Sequence, residues 1–143
     1  MTADEPSDQK STLIAYRLKQ AHESLSEADC LLAGSRSPRS VINRAYYAAY
    51  YALLALLQKQ GAVPKKHTGA ISLFDTDFVR NGVFSKERSR DLHFLFNARQ
   101  TSDYRVIDEA DEIDASEAIQ KARCIVEDIE RYLSNDNDAE NQC

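Results

Sequence analysis

One run of thirteen residues, AYYAAYYALLALL at positions 45–57, limits the folds open to this chain more than any other feature. Its side chains are apolar or aromatic on every side of a helix, so a helix formed by the run needs neighbours all around it. The run is shorter than the roughly 20 apolar residues that a membrane span requires, and Arg44 directly precedes it. It therefore predicts the central helix of a bundle and not a membrane anchor.

The rest of the chain shows the spacing of amphipathic helices. Only four Gly and three Pro interrupt 143 residues, apolar residues recur at intervals of three and four, and no alternating strand pattern is found. We predict five helices, at about residues 12–33, 38–60, 66–80, 86–101 and 115–134. Short links between them favour an all-α, antiparallel bundle of four to five helices.

Several helix ends carry recognisable capping residues. Ser37 is a favourable N-cap for the second helix, and Gly61 ends it. Ser85 is the predicted cap of the fourth helix. Asp114 and Glu117 have the spacing of a capping box at the start of the fifth helix.

The chain length fits one domain and leaves little room for a second. We predict a helical domain over residues 11–134, between disordered polar tails at residues 1–10 and 135–143. The segment MTADEPSDQK has no apolar core of an export signal. A cytoplasmic location with no membrane association is therefore expected.

Motifs for metal, phosphate-loop and serine-nucleophile chemistry are missing from the sequence. The three Cys and three His are scattered, without metal-ligand spacing, so we expect no cofactor and no metal. Cys30 and Cys124 fall within helical patterns and are predicted to be small core or near-core residues. A net charge of −5 argues against a nucleic-acid surface covering the whole protein, although a local basic patch is compatible with it.

A first candidate site lies at the start of the second helix, where Asn43, Arg44 and Tyr47 are followed by further tyrosines. One interpretation is that the tyrosine rings belong to the core and their hydroxyls find partners at the bundle edge. The other is that Arg44 holds a phosphate and the tyrosines stack on bases of a nucleotide or RNA. On the second interpretation, Asn43, Arg44 and Tyr47 bind the ligand.

A second candidate site lies where the fourth helix runs into a polar connection, and it contains Arg99, Asp103, Tyr104 and Arg105. Arg99 and Asp103 are one helical turn apart, which suits a helix-end ion pair with Tyr104 packed beneath it. Alternatively, Arg99 and Arg105 present positive charge at a ligand-binding or catalytic edge that includes Asp103 and Tyr104. Both interpretations remain open at the level of sequence.

Three separated segments resemble one protein family in order and spacing: NRAYYAAYYALLALL, KKHTGAISLFDTDFVRNGVF and LFNARQTSDY. Together they resemble the HEPN superfamily, and within it the small stand-alone proteins of the UPF0332 type. The resemblance covers about residues 11–133. It implies a helical bundle, commonly a homodimer, here expected to form through surfaces near the second and fourth helices.

The resemblance also implies a function. Many HEPN proteins pair with a minimal nucleotidyltransferase as a toxin–antitoxin module, and many toxic members are metal-independent ribonucleases. Their motif is an Arg followed, after four to six residues, by a His at the end of the penultimate helix. Arg99 matches the Arg, but Tyr104, Arg105 and Val106 occupy the positions where the His is expected, so the usual acid–base partner is missing.

His93, His67 and Tyr104 are the other residues that bear on this missing partner. Arg88 and His93 have the motif spacing but lie early in the fourth helix, on different sides of it. His67, in KKHTG, begins the third helix, where a structural role and a ligand role are equally compatible with the sequence. Tyr104 is, by position, a candidate for nucleotidylation by a partner transferase, a modification found in some HEPN toxins.

Three hypotheses about function follow. In the first, the protein is the toxin-like partner of a nucleotidyltransferase and binds nucleotide or RNA along the edge formed by Arg44, Arg99 and Tyr104. In the second, it is an active ribonuclease, in which Arg99 stabilises phosphate charge and Tyr104 or another group replaces the missing His. In the third, it is a non-catalytic dimerisation module.

Overall fold

The computed structural model describes the backbone of residues 6–104 and 112–141, and the side chains of residues 9–100 and 114–135. Five α-helices follow one another, and a π-helical segment, Phe74–Val79, continues the third. Within the described ranges there is no strand, which confirms the predicted all-α bundle. The helices are α1 (Pro6–Ala33), α2 (Pro38–Gln60), α3 (His67–Leu73), α4 (Lys86–Tyr104) and α5 (Glu112–Asn141).

The outer helices extend beyond the predicted limits of 11–134. Helix α1 begins at Pro6, a residue that suits the first helical position because its missing N–H has no intrahelical partner there. Helix α5 continues to Asn141, and no Gly or Pro interrupts residues 135–141. Because α5 starts at Glu112, Asp114 lies inside the helix and the predicted capping box is wrong. The division into one domain and two disordered tails stays a prediction.

Helix α2 forms the centre of the bundle, as its all-round apolarity predicts. It packs against α1, α4 and α5 and contacts α3. Its many alanines allow the neighbouring helices to approach closely. Of the helices in the described ranges, none combines the length and apolarity needed to cross a membrane. The buried residues of α2 are Val41, Ile42, Ala45, Tyr46, Ala48, Ala49, Tyr50, Ala52, Leu53, Ala55, Leu56 and Leu57.

Both ends of α2 lie where the sequence predicts them. Pro38 is the first residue, and Ser37 precedes it without forming a side-chain capping hydrogen bond. Gly61 has a φ of 90°, in the left-handed region that favours glycine. There the N–H of Gly61 donates to the Gln58 carbonyl at 3.1 Å, and the N–H of Ala62 donates to the Leu57 carbonyl at 2.9 Å. These bonds end the helix and turn the chain towards α3.

The connection between α2 and α4 is held to the bundle by an aromatic cluster. The predicted single helix over 66–80 is divided into α3 and the π-helical segment, which contributes the buried rings of Phe74 and Phe78. Phe84 lies 5.4 Å from Phe74 and 6.0 Å from Phe78, between ring centres, and Tyr132 of α5 lies 5.5 Å from Phe84. This packing fixes the segment that begins with His67.

The N–H of Arg88 donates to the Ser85 hydroxyl at 3.3 Å, so the predicted cap of α4 is formed.

The predicted burial of two cysteines is wrong. Cys30 and Cys124 are both exposed. The inward positions of these helical stretches are taken by fully buried alanines, Ala28 in α1 and Ala122 in α5. Since residues two positions apart point about 200° around a helix from each other, the cysteines face away from the core.

A pair of adjacent leucines tests the central position of α2. Leu53 is fully buried, whereas Leu54 is only half-buried. We expect Leu53→Ala to lower the free energy of unfolding by about 2–5 kcal/mol, because it removes apolar contacts and leaves a cavity. The loss for Leu54→Ala should be less than half as large. Urea denaturation followed by circular dichroism measures both, and equal losses would contradict the assigned orientation of α2.

Candidate functional site: an arginine–tyrosine–histidine corner

Helices α2, α3 and α4 bring five side chains together at one edge of the bundle: Tyr46, Tyr47, Tyr50, His67 and Arg99. We call this group the arginine corner. The guanidinium carbon of Arg99 lies 5.3 Å from the centre of the Tyr46 ring and 5.2 Å from that of Tyr47. A cation at this distance is attracted by the negative face of each ring. The two rings therefore hold the positive charge of α4 against α2.

His67 enters the corner as the first residue of α3. Its Nδ1 atom lies 2.6 Å from the hydroxyl oxygen of Tyr46. Its ring stacks on Tyr50, with 4.0 Å between ring centres and 14° between planes. The Tyr46 ring is fully buried and His67 is half-buried, so the hydrogen bond joins the core to the surface. It satisfies a hydroxyl that would be costly to bury without a partner.

The protonation states within the corner follow from burial and from Arg99. Burial raises the pKa of the Tyr46 hydroxyl well above its ordinary value, and the nearby Tyr50 adds to this effect while Arg99 opposes it. Burial also lowers the pKa of His67, and the positive charge of Arg99 lowers it further. At neutral pH the corner thus combines a protonated phenol, a neutral imidazole and a guanidinium cation.

The first candidate site predicted from the sequence adjoins this corner. Arg44 also lies over the Tyr47 ring, with its guanidinium carbon 5.4 Å from the ring centre. Its Nη2 donates to the Asn43 side-chain oxygen at 3.2 Å, and its Nη1 lies 3.7 Å from a carboxylate oxygen of Glu27. The Tyr47 ring is therefore in contact with two arginines, Arg44 and Arg99. The geometry joins the two predicted clusters through one half-buried aromatic ring.

An open cavity of about 270 Å³ lies beside Arg44, between α1 and α2. Two carboxylates and two tyrosines line it together with Arg44. Glu27 pairs with Arg44 at this cavity, which reduces the net positive charge there. Its lining residues are Tyr16, Gln20, Glu23, Ser24, Glu27, Arg44 and Tyr51.

Further positive charge stands at the entrance to α3. Lys65 and Lys66 immediately precede His67, and both are exposed. With Arg99 and Arg44 they provide a local basic surface on a chain whose net charge is −5. Such a local field attracts anionic groups even when the whole protein is acidic.

Four of the predicted site residues are brought into one region: Asn43, Arg44, Tyr47 and Arg99. The backbone of Asp103 and Tyr104 forms the last turn of α4, but their side chains lie outside the described residues, and Arg105 lies outside them entirely. The predicted Arg99–Asp103 pair and the roles of Tyr104 and Arg105 therefore stay predictions.

Arg88 and His93, which have the motif spacing in the sequence, do not share a site. Arg88 is largely buried and lies 2.9 Å from a carboxylate oxygen of Asp91 and 3.4 Å from one of Asp128. His93 is exposed and lies 2.7 Å from a carboxylate oxygen of Asp75, on the π-helical segment. Each thus serves a different ion pair, in agreement with the helical geometry expected for residues five positions apart.

Sequence reasoning assigned His67 only an undecided role, and it did not connect His67 with Arg99. The two residues belong to different helices, and no periodic pattern relates them. Tyr46 and Tyr50 are buried, as the first of the two interpretations of the tyrosines predicts. The available signal was the combination of a His that begins a short helix with a tyrosine-rich neighbouring helix. The sequence alone does not reveal that His67 and Arg99 contact the same tyrosine, because this depends on how the connection between α2 and α4 folds.

Comparison with known proteins identifies the fold. A family model described as the HEPN domain matches residues 14–132. The chain belongs to the HEPN domain family. This match spans all five helices and includes every residue of the arginine corner.

Three relatives are similar to this chain over most of their own length. A "UPF0332 protein" of Thermotoga maritima is 33% identical over 128 residues, which cover 90% of this chain and 96% of the relative. "Putative toxin MJ0605" of Methanocaldococcus jannaschii is 34% identical over 79% of this chain and 83% of its own. "Putative toxin MJ0142" of the same organism is 28% identical over 84% of this chain and 81% of its own length. The UPF0332-type HEPN resemblance seen in the sequence is thereby confirmed.

The electrostatic coupling between Arg99 and His67 can be measured directly. Arg99→Gln removes a positive charge that opposes protonation of the imidazole, so we expect the pKa of His67 to rise towards the ordinary value near 6.5. Burial, the larger cause, remains. Arg44→Gln is the matched control and should leave the His67 midpoint unchanged. NMR titration of the three histidine rings gives the values, and identical His67 midpoints in both variants would contradict the coupling.

Proposed function

We propose that this HEPN protein is the toxin-like component of a module with a minimal nucleotidyltransferase, and that it binds RNA at the arginine corner. The observation that carries the RNA-binding part is the position of Arg99 over the Tyr46 and Tyr47 rings beside His67. A guanidinium supplies planar donors for a phosphate. Half-buried Tyr47 lies at the same edge, and the part of its ring that is exposed can contact a base beside the two arginines.

The surroundings of the corner favour a polyanion over a single small anion. Lys65 and Lys66 extend the positive surface along the connection before α3, and Arg44 extends it along α2. Several cations spaced along one edge suit a nucleic-acid backbone, which carries one charge per nucleotide. Arg99 is prearranged for this contact, because two rings restrict its side chain before the ligand arrives.

The biological setting is inferred from relatives. Two proteins similar to this chain over about four-fifths of its length carry the name "Putative toxin". The nucleotidyltransferase partner and the homodimer come from the resemblance to HEPN proteins, and the cytoplasmic location is an expectation from the sequence. All three are part of the proposal. Tyr104 is the proposed target of modification by the partner, by position at the end of α4.

RNA binding at the corner is tested with a labelled single-stranded RNA and fluorescence anisotropy. We expect Arg99→Gln to weaken binding about tenfold or more, because it removes a charge-assisted hydrogen bond worth about 1.5–3 kcal/mol. Arg123→Gln, which removes the same charge from an exposed ion pair between α5 and α1, should change the affinity less than twofold. Equal effects of both substitutions would show that binding reflects overall charge and would contradict a site at the corner.

The toxin part is tested by induced expression in a bacterial host, with growth and total RNA integrity followed over time. We expect the wild-type protein to slow growth and the Arg99→Gln variant to do so much less. Co-expression of a minimal nucleotidyltransferase encoded beside the gene should restore growth and copurify with the protein. Normal growth with soluble, folded wild-type protein would contradict the toxin proposal and favour a non-catalytic dimerisation module.

A further inference from the structure

The open cavity between α1 and α2, with a volume of about 270 Å³, is continuous with the arginine corner. Arg44 lines the cavity and also lies over the Tyr47 ring. Tyr51 lines it as well, and its ring centre lies 5.9 Å from that of Tyr47. Because Arg99 lies over the same Tyr47 ring, a strand that Arg99 holds has this cavity directly beside it.

The size and the walls of the cavity suit one nucleobase. Pockets for small ligands commonly have volumes of about 300–1,000 Å³, so this cavity is small and accommodates a single ring system but not a length of strand. Tyr16 lines it from α1 and Tyr51 from α2, and a tyrosine ring can stack on any base. Tyr16 is 52% exposed, so its ring is accessible to an incoming base.

Two residues of α1, Gln20 and Glu23, give the cavity a hydrogen-bond donor next to an acceptor. They are three positions apart and therefore lie on one face of the helix. The side-chain oxygen of Gln20 accepts a hydrogen bond from Nη1 of Arg17 at 2.8 Å, so the amide presents its two N–H donors to a ligand. The exposed carboxylate of Glu23 is an acceptor only. The pair therefore selects a ligand edge on which an acceptor lies beside donors.

We propose that this cavity is a guanine-binding subsite, which recognises one base of an RNA strand held at the arginine corner. The inference rests on the proposed RNA binding and adds the base that the strand must carry. The pairing edge of guanine has one acceptor, O6, followed by two donors, N1–H and the N2 amino group. The Gln20 amide donates to O6, and the two oxygens of Glu23 accept from N1–H and N2.

The other three bases match this pattern less well. In the same position, adenine and cytosine have an amino group in place of O6 and an acceptor nitrogen in place of N1–H. Uracil has an N–H in the middle of its edge, but a carbonyl oxygen in place of the N2 amino group. Each of them turns a lone pair towards the Glu23 carboxylate, which leaves acceptors facing each other without a proton. Guanine alone presents two neighbouring donors to one carboxylate.

The charges around the cavity separate the base from the phosphate. Glu23 and Glu27 both line it, and their carboxylates repel a phosphate but not an uncharged base. Arg44 lies at the junction, since it lines the cavity and contacts Tyr47 of the corner. The phosphates of the strand therefore stay with the arginines, where they position the RNA, and the base in the cavity provides the specificity.

The test uses the full-length protein and four labelled single-stranded RNAs, which are runs of uridine that differ only in one central base. By fluorescence anisotropy we expect the strand with guanine to bind about tenfold more tightly than the other three. Glu23→Gln should reduce this preference to less than about twofold, because an amide cannot accept from both guanine donors. Glu130→Gln is the matched control and should keep the preference, since that exposed carboxylate pairs with His22 on the side of α5.

A second measurement changes the ligand and does not depend on how a variant folds. Inosine is guanosine without the N2 amino group, so a strand with inosine at the central position loses one charge-assisted hydrogen bond to Glu23. We expect wild type to bind this strand about fivefold more weakly than the guanine strand. The two strands should bind Glu23→Gln with equal affinity.

Guanosine monophosphate, tested as a competitor and alone, distinguishes the two sources of the base. We expect it to displace the guanine strand from wild type and to do so poorly from Glu23→Gln. Equal binding of the four RNAs, or a guanine preference that Glu23→Gln leaves unchanged, would overturn the subsite and leave RNA binding at the corner standing. Binding of the monophosphate without any binding of RNA would overturn the recognition of a strand and remove the proposed function. Absence of binding by either ligand would remove both.

Discussion

The burial of α2 on several sides is the constraint on which the rest of the structure depends. Alanines at close-packed positions let α1, α4 and α5 approach the central helix, and leucines towards its C-terminal half fill the core. At the other half, the same buried faces carry tyrosines. A tyrosine ring contributes apolar area to the core, but its hydroxyl requires a hydrogen-bond partner when it is buried. The buried tyrosine hydroxyls of α2 therefore need polar partners at one edge of the bundle.

The arginine corner supplies these polar partners. The hydroxyl of fully buried Tyr46 is satisfied by His67, and the faces of Tyr46 and Tyr47 are covered by Arg99. Core packing thus places a neutral imidazole and a cation next to each other at the surface. The contacts that complete the core at this edge therefore also orient the groups that we propose to be functional.

Much of the fold could be predicted because local patterns determine it. The bounds of α2 follow from Pro38, Gly61 and the apolar run between them, and its central position follows from the absence of a polar face. The fourth helix began as predicted because Ser85 caps it. The start of α5 was predicted wrongly, since Asp114 and Glu117 have capping-box spacing but lie inside a helix that starts earlier. Capping motifs show what can cap a helix, whereas the surrounding chain decides where the helix begins.

The site could be predicted only in part, because its members come from three helices. Arg44 and Tyr47 are neighbours on α2, and Arg99 was found through a motif, so local spacing identified each of them. His67 depends on the course of the connection from Gly61 to α4, which the Phe74, Phe78 and Phe84 packing holds against α5. No period relates a residue on that connection to Arg99. A motif defined within one helix therefore could not place His67 beside Arg99, because the two residues belong to different helices.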